Sequence, residues 1–165
     1  MSSSTTPRYS NSMSEHHSLT ALEGWHIYMI KLLDSGLRPP FEQLLREHGF
    51  STAQYTALTV LARRPGITSS ELARRTFVRA QSMADTVKVL MDKGLVRREP
   101  DQDHARRLLL FPTDGGYRAL QECQGDVNQL ETRLLENLDD DERRTVSAAL
   151  RTMRFNLQRI NDDTP

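Results

Sequence analysis

SSELARRTFVRAQSMADTVKVLMDKGLV, residues 69–96, is the stretch on which the fold turns. Thr68-Ser69-Ser70-Glu71 has the form of a capping box, in which a hydroxyl and a carboxylate satisfy each other's backbone N–H groups. It predicts a short helix with Leu72 and Ala73 facing inward. A break at Thr76 to Val78 leads into a second helix, about Ala80 to Lys93, with Met83, Val87, Leu90 and Met91 inward at helical spacing. Gly94 suits the left-handed position that ends it. Just upstream, Ser51-Thr52-Ala53-Gln54 predicts another capping box, and its helix carries Tyr55, Leu58, Leu61 and Ala62 on one face until Pro65 and Gly66. Downstream the period drops to two. Leu95 to Glu99 reads as a strand, Pro100 to Ala105 as a polar tip and Arg107 to Phe111 as the returning strand. Three helices followed at once by a hairpin make a winged helix-turn-helix.

Outward from this lobe the chain is helical. Leu19, Leu22, Trp25, Met29, Leu32 and Leu33 follow helical spacing over 17–37, and Ile27, Ile30 and Leu37 add a second stripe. That surface is wider than one packing interface requires. Pro39 and Pro40 are expected to interrupt the helix, with a short helix Phe41 to Glu47 after them. Beyond the hairpin, Tyr117, Leu120, Val127, Leu130 and Leu134 form one stripe, and Val146, Leu150, Met153, Leu157 and Ile160 another. Asp139 to Glu142 suits the N-terminus of the last helix. The two C-terminal helices are expected to pair antiparallel across a tight turn. The fold class is therefore mainly α with a small β-hairpin wing, a winged helix-turn-helix lobe plus a helical dimerisation region. The expected organisation is a disordered tail at 1–16, dimerisation helices at 17–48, a DNA-binding lobe at 49–112 and C-terminal dimerisation helices at 113–162.

Composition narrows the function. Formal net charge is zero over 165 residues, yet Arg63 to Arg107 holds 11 Lys/Arg against 6 Asp/Glu, a balance of +5. The preceding segment stands at −1 and the following one at −4. A basic middle suits a region presented to a polyanion. No run approaches the roughly 20 apolar residues of a membrane span. The Ser/Thr-rich start lacks the apolar core of a secretory signal. Cys123 is the only cysteine, which rules out an internal disulfide framework and fits a reduced, cytoplasmic setting. His16, His17, His26, His48 and His104 show no metal-ligand spacing. No nucleophile–base pair, phosphate loop or paired-carboxylate site is evident, so neither an enzyme nor a cofactor is expected.

The longer stretch GFSTAQYTALTVLARRPGITSSELARRTFVRAQSMADTVKVLMDKGLVRREPDQDHARRLLLFPTDGG, residues 49–116, resembles the DNA-binding core of the MarR family, the multiple-antibiotic-resistance-type regulators. The matching features are the "ELA" helix, a recognition helix running into "GLV", and the wing. The flanking helices fall where that family builds its dimer interface. The resemblance implies a homodimeric regulator, most often a repressor, on a palindromic double-stranded operator. Arg79, Gln81, Ser82, Asp85, Thr86 and Lys88 lie outward on the expected recognition helix. Gln81 can bond adenine in bidentate fashion, while Arg79 and Lys88 suit phosphate. Arg97, Arg98, Arg106 and Arg107 supply the wing, with Arg106 matching the family's minor-groove arginine.

Four positions depart from the family pattern. His104 stands where many members place the acidic partner of that arginine, with Asp103 beside it. Pro112 replaces an apolar residue and is expected to shorten the second strand. Arg79 replaces a Ser or Thr cap and is a poor one. Asp85 stands where an arginine is common.

The family's small aromatic or lipophilic effectors imply a pocket, for which Trp25, His26, Met29, Tyr55 and Arg38 are the candidates. Such a cluster at helical spacing is also what a plain core shows. Two alternatives stand beside the regulator reading: a winged-helix module that binds protein, and a thiol-based redox sensor through Cys123.

Overall fold

A computed structural model describes residues 24–104 and 106–163. The tail at 1–16 and the start of the first helix, including Leu19 and Leu22, lie outside the described residues. The described residues divide into two compact units, one ending at Leu37 and the other beginning at Arg38. Among the described residues no helix is long and apolar enough to cross a membrane.

Helix α1 (Trp25–Glu47) contains Pro39 and Pro40, so the expected interruption is absent. The two prolines leave the carbonyls of Ser35 and Gly36 without helical partners. Ser35, Gly36, Pro39 and Pro40 are all exposed, which leaves those carbonyls within reach of water. In the first unit, the Trp25 and Tyr28 rings meet at 5.7 Å, and Ile27, Ile30, Leu32 and Leu33 are exposed.

The second unit holds the core. Helix α2 (Thr52–Arg63) opens with the expected capping box: Gln54 N–H donates to Ser51 Oγ and the Gln54 side chain accepts from Ser51 N–H. Helix α3 (Ser69–Thr76) realises only half of its own box. Glu71 N–H donates to Thr68 Oγ1, but the Glu71 carboxylate turns to Arg75, one turn along the helix, at 2.6 and 2.9 Å. A charged fork one turn away outbids a single backbone N–H. Helix α4 (Ala80–Asp92) follows, and Gly94 takes the left-handed φ of 68° that was expected of it.

Strands β1 (Val96–Pro100) and β2 (Leu108–Pro112) pair antiparallel, Val96 opposite Pro112 and Pro100 opposite Leu108. Pro112 thus remains in the strand instead of shortening it. Thr113 N–H donates to Leu95 and Asp101 N–H to Arg107, so the odd positions bond across the ladder. Leu110 N–H points the other way, to the Ile67 carbonyl, and Gly66 N–H returns a bond to Leu110. Pro100 and Pro112 share the phase of Leu110, where a missing N–H removes no bond between β1 and β2.

Thr113 then caps helix α5 (Asp114–Leu134), accepting from Gly116 N–H and donating to the Gly94 carbonyl at 2.6 Å. At Gly116 a β-carbon would collide with the Leu95 carbonyl, so only glycine fits this helix start against the hairpin.

Leu45, Phe50, Ala57, Leu58, Leu61, Ile67, Leu72, Ala73, Met83, Val87, Leu90, Val96, Leu110 and Cys123 form one buried cluster with no polar side chain buried in it. It draws on the end of α1, on α2 to α5 and on the hairpin. Helix α6 (Asp140–Asp162) starts on a complete capping box of Asp139 and Glu142. Arg143 ties its first turn to the carbonyls of Leu135 and Leu138. The tight turn is therefore present, but the packed antiparallel pair is not, because α6 has no buried residue.

Candidate nucleic-acid interface

Helix α4 divides cleanly. Met83, Val87 and Leu90 are buried, while Arg79, Gln81, Ser82, Asp85 and Lys88 are exposed. Thr86 is half-buried and its hydroxyl donates to the Ser82 carbonyl at 2.9 Å, which commits its proton to the helix. Val89, not expected on this face, is also exposed.

Arg79 at the N-cap makes no side-chain capping bond. The first intrahelical bond is Met83 N–H to the Arg79 carbonyl. The N–H groups of Ala80, Gln81 and Ser82 are thus not spent inside the helix, at the end where the dipole favours an anion. Lys93 anchors the other end. Its Nζ donates to the Gly49 carbonyl at 2.7 Å and to Gln54 Oε1 at 3.0 Å, and lies 5.8 Å from the Phe50 ring centre. This clamp joins residues 44 positions apart, so nothing in the local sequence pattern announces it.

The wing arginines are not equivalent. Arg97 lies over the Phe111 ring at 5.0 Å and pairs with Glu99. Arg107 Nε sits 3.6 Å from Asp101, whose carboxylate also accepts from Asp103 N–H at 3.0 Å. Arg98 and Arg106 are exposed and have no ion-pair partner among the described residues. The acid of the wing is therefore Asp101, on Arg107, and neither Asp103 nor His104 on Arg106. The side chain of Asp101 is largely covered, and backbone bonds Asp101–Arg107 and Arg107–His104 close the tip around it. The structure thus brings the α4 residues onto one helix face, and gathers Arg106 and Arg107 at the hairpin tip.

The effector candidates stand as follows. Trp25, His26 and Arg38 are exposed on α1, and Met29 is half-buried there. Tyr55 lies on α2, edge-on to Phe41 at 5.6 Å and to Phe50 at 6.4 Å. Burial, with the nearby Cys123, pushes its phenol above the usual range. Cys123 itself is 0 % exposed, donates to the Leu120 carbonyl at 3.3 Å, and burial raises its thiol pKa. A reactive sensor thiol needs the opposite, exposure and a stabilised thiolate, so nothing in the geometry favours redox sensing.

A family model described as "MarR family" matches residues 48–107. An HTH-type transcriptional repressor of Mycobacterium tuberculosis is 27 % identical over 117 residues, covering 71 % of this chain and 84 % of that protein. A regulatory protein of Thauera aromatica named for its hcr operon is 29 % identical over 154 residues, 91 % of this chain and 87 % of that one. The solved structure of MarR superposes with a TM-score of 0.68 at 25 % identity, covering 81 % of this chain and 93 % of that chain. These relatives are regulators, not enzymes. The matched segment spans α2 through the wing tip, the same elements that present the exposed face of α4 and the arginines of the hairpin, and over this lobe the chain matches the MarR family of winged helix-turn-helix transcriptional regulators.

Proposed function

We propose that this regulator acts in the cytoplasm as a repressor, binding a palindromic operator as a homodimer and leaving it when a small aromatic or lipophilic ligand binds. The observation that carries the DNA-binding mode is the pairing of α4, polar and uncapped at its outward N-terminal end, with a wing whose exposed Arg106 has no ion-pair partner among the described residues. In this reading Gln81 and Ser82 contact bases in the major groove. Arg79 and Lys88 hold phosphates, Asp85 and Thr86 accept from base edges, and Arg106 enters the minor groove. Arg98 and Arg107 follow the backbone, and Arg97 contributes mainly by bracing the hairpin through Phe111.

The regions 17–48 and 113–162 supply the dimer contacts, and 49–112 the DNA-binding lobe. Effector binding is assigned to Trp25, His26, Met29, Arg38 and Tyr55. Trp25 is the only tryptophan, so its fluorescence reports on that site. Operators selected from random DNA test the whole reading. A two-fold motif with half-sites about 10 base pairs apart is expected, and recovery of no motif would defeat it.

A further inference from the structure

Phe77 ends α3 in the left-handed region, at φ 56° and ψ 34°. The turn requires this conformation, since Phe77 N–H donates back to the Ala73 and Arg74 carbonyls and Val78 N–H to Ala73. Glycine adopts it freely and asparagine readily, whereas a bulky side chain is strained there. The other left-handed corners of this lobe carry Gly49, Gly66 and Gly94. Burial does not account for the exception, because Phe77 is 46 % exposed. A residue that neither the turn nor the core selects points to a function at its position.

Its surroundings say which. Phe77 stands two residues before the uncapped start of α4, between Arg74, which is paired with Asp162 at 3.3 Å, and the exposed Arg79. Arg79 makes no side-chain capping bond, and the position continues directly into the exposed face that carries Gln81 and Ser82. We propose that Phe77 is a DNA-contact residue whose ring lies against an apolar edge of the operator, a thymine methyl or a deoxyribose, beside the phosphate held by Arg79. The proposal rests on α4 being the recognition helix. Aromatic rings make such contacts with the thymine methyl, which carries sequence information that a phosphate contact does not.

Phe77→Gly and Phe77→Asn test it, since both residues accept the left-handed turn. Each variant is expected to melt at or above the wild-type temperature, while operator affinity falls about fourfold or more per half-site, the effect of losing a methyl-sized apolar contact. The salt dependence of binding stays unchanged, because no charge is removed. Replacing operator thymidines one at a time by deoxyuridine separates the two edges. A position where the methyl matters to wild type but not to Phe77→Gly identifies the thymine, and a uniform absence of effect identifies the sugar. Wild-type affinity in both variants, alongside weakened Gln81→Ala and Arg106→Ala, overturns the proposal and leaves the recognition helix standing. Wild-type affinity in all four defeats the recognition-helix reading itself. A loss of affinity that follows a changed sedimentation coefficient overturns the proposal too, by making Phe77 a subunit contact.

Discussion

Arg106 and Arg107 are neighbours with different electrostatic settings. Arg107 is held by Asp101 at 3.6 Å, while Arg106 is exposed with no ion-pair partner among the described residues. A cation already paired releases fewer counterions from DNA, because part of its charge is compensated before binding. Arg106→Ala should therefore lower the slope of log K against log salt by about 0.9, the full value for one phosphate, and Arg107→Ala by clearly less. Titrations at four salt concentrations distinguish them, and equal slopes for the two variants would contradict the assignment. Gln81→Ala should act differently. It is expected to cost about 1–3 kcal/mol per half-site if the amide is bidentate on adenine, with the salt slope unchanged. Selection of operators by Gln81→Ala should yield a motif relaxed at one position per half-site, and an equally stringent motif from both proteins would remove Gln81 from base reading.

At the scale of the element, α4 gives up stability at its start. A serine in place of Arg79 would accept from an N–H of the first turn and should stabilise the isolated lobe by about 1 kcal/mol, while operator affinity falls because a phosphate cation is lost. Thermal melting and DNA titration of Arg79→Ser should thus move in opposite directions; a variant that gains stability and keeps its affinity would show that Arg79 does not reach the backbone. The lack of a cap was readable in the sequence, as were the box at Ser51, the acidic helix start at Asp139 and the terminator at Gly94, because each depends on residues within one turn. What could not be read is non-local or competitive. The Ile67–Leu110 bridge and the Lys93 clamp join distant segments. Glu71 chose Arg75 over its cap because two local partners were available and only their geometry decides. Pro39 and Pro40 read as a break by propensity, yet the helix continues, with its orphaned carbonyls on exposed residues.

For the whole molecule, the unresolved account is α6. Val146, Leu150, Met153, Leu157 and Ile160 recur at alternating spacings of four and three, the seam of a helix that packs on another helix. None of them is buried, and Leu150 is 57 % exposed. Phe50 and Leu110, by contrast, sit in a core that is closed without α6. The homodimer proposed above assigns this stripe to the second subunit, since water-exposed leucines at heptad spacing forgo about 25 cal/mol per Å² of apolar area. Leu150→Lys should therefore shift the protein from dimer to monomer in sedimentation at micromolar concentration. The melting temperature of the wild type should rise with protein concentration, as it does for any fold completed by association. DNA affinity of Leu150→Lys should fall toward that of one half-site, with the α4 contacts and their salt slope per subunit intact. A wild-type chain that sediments as a monomer and still binds its full operator would mean that α6 serves another partner, and that the two-fold reading of the operator is wrong.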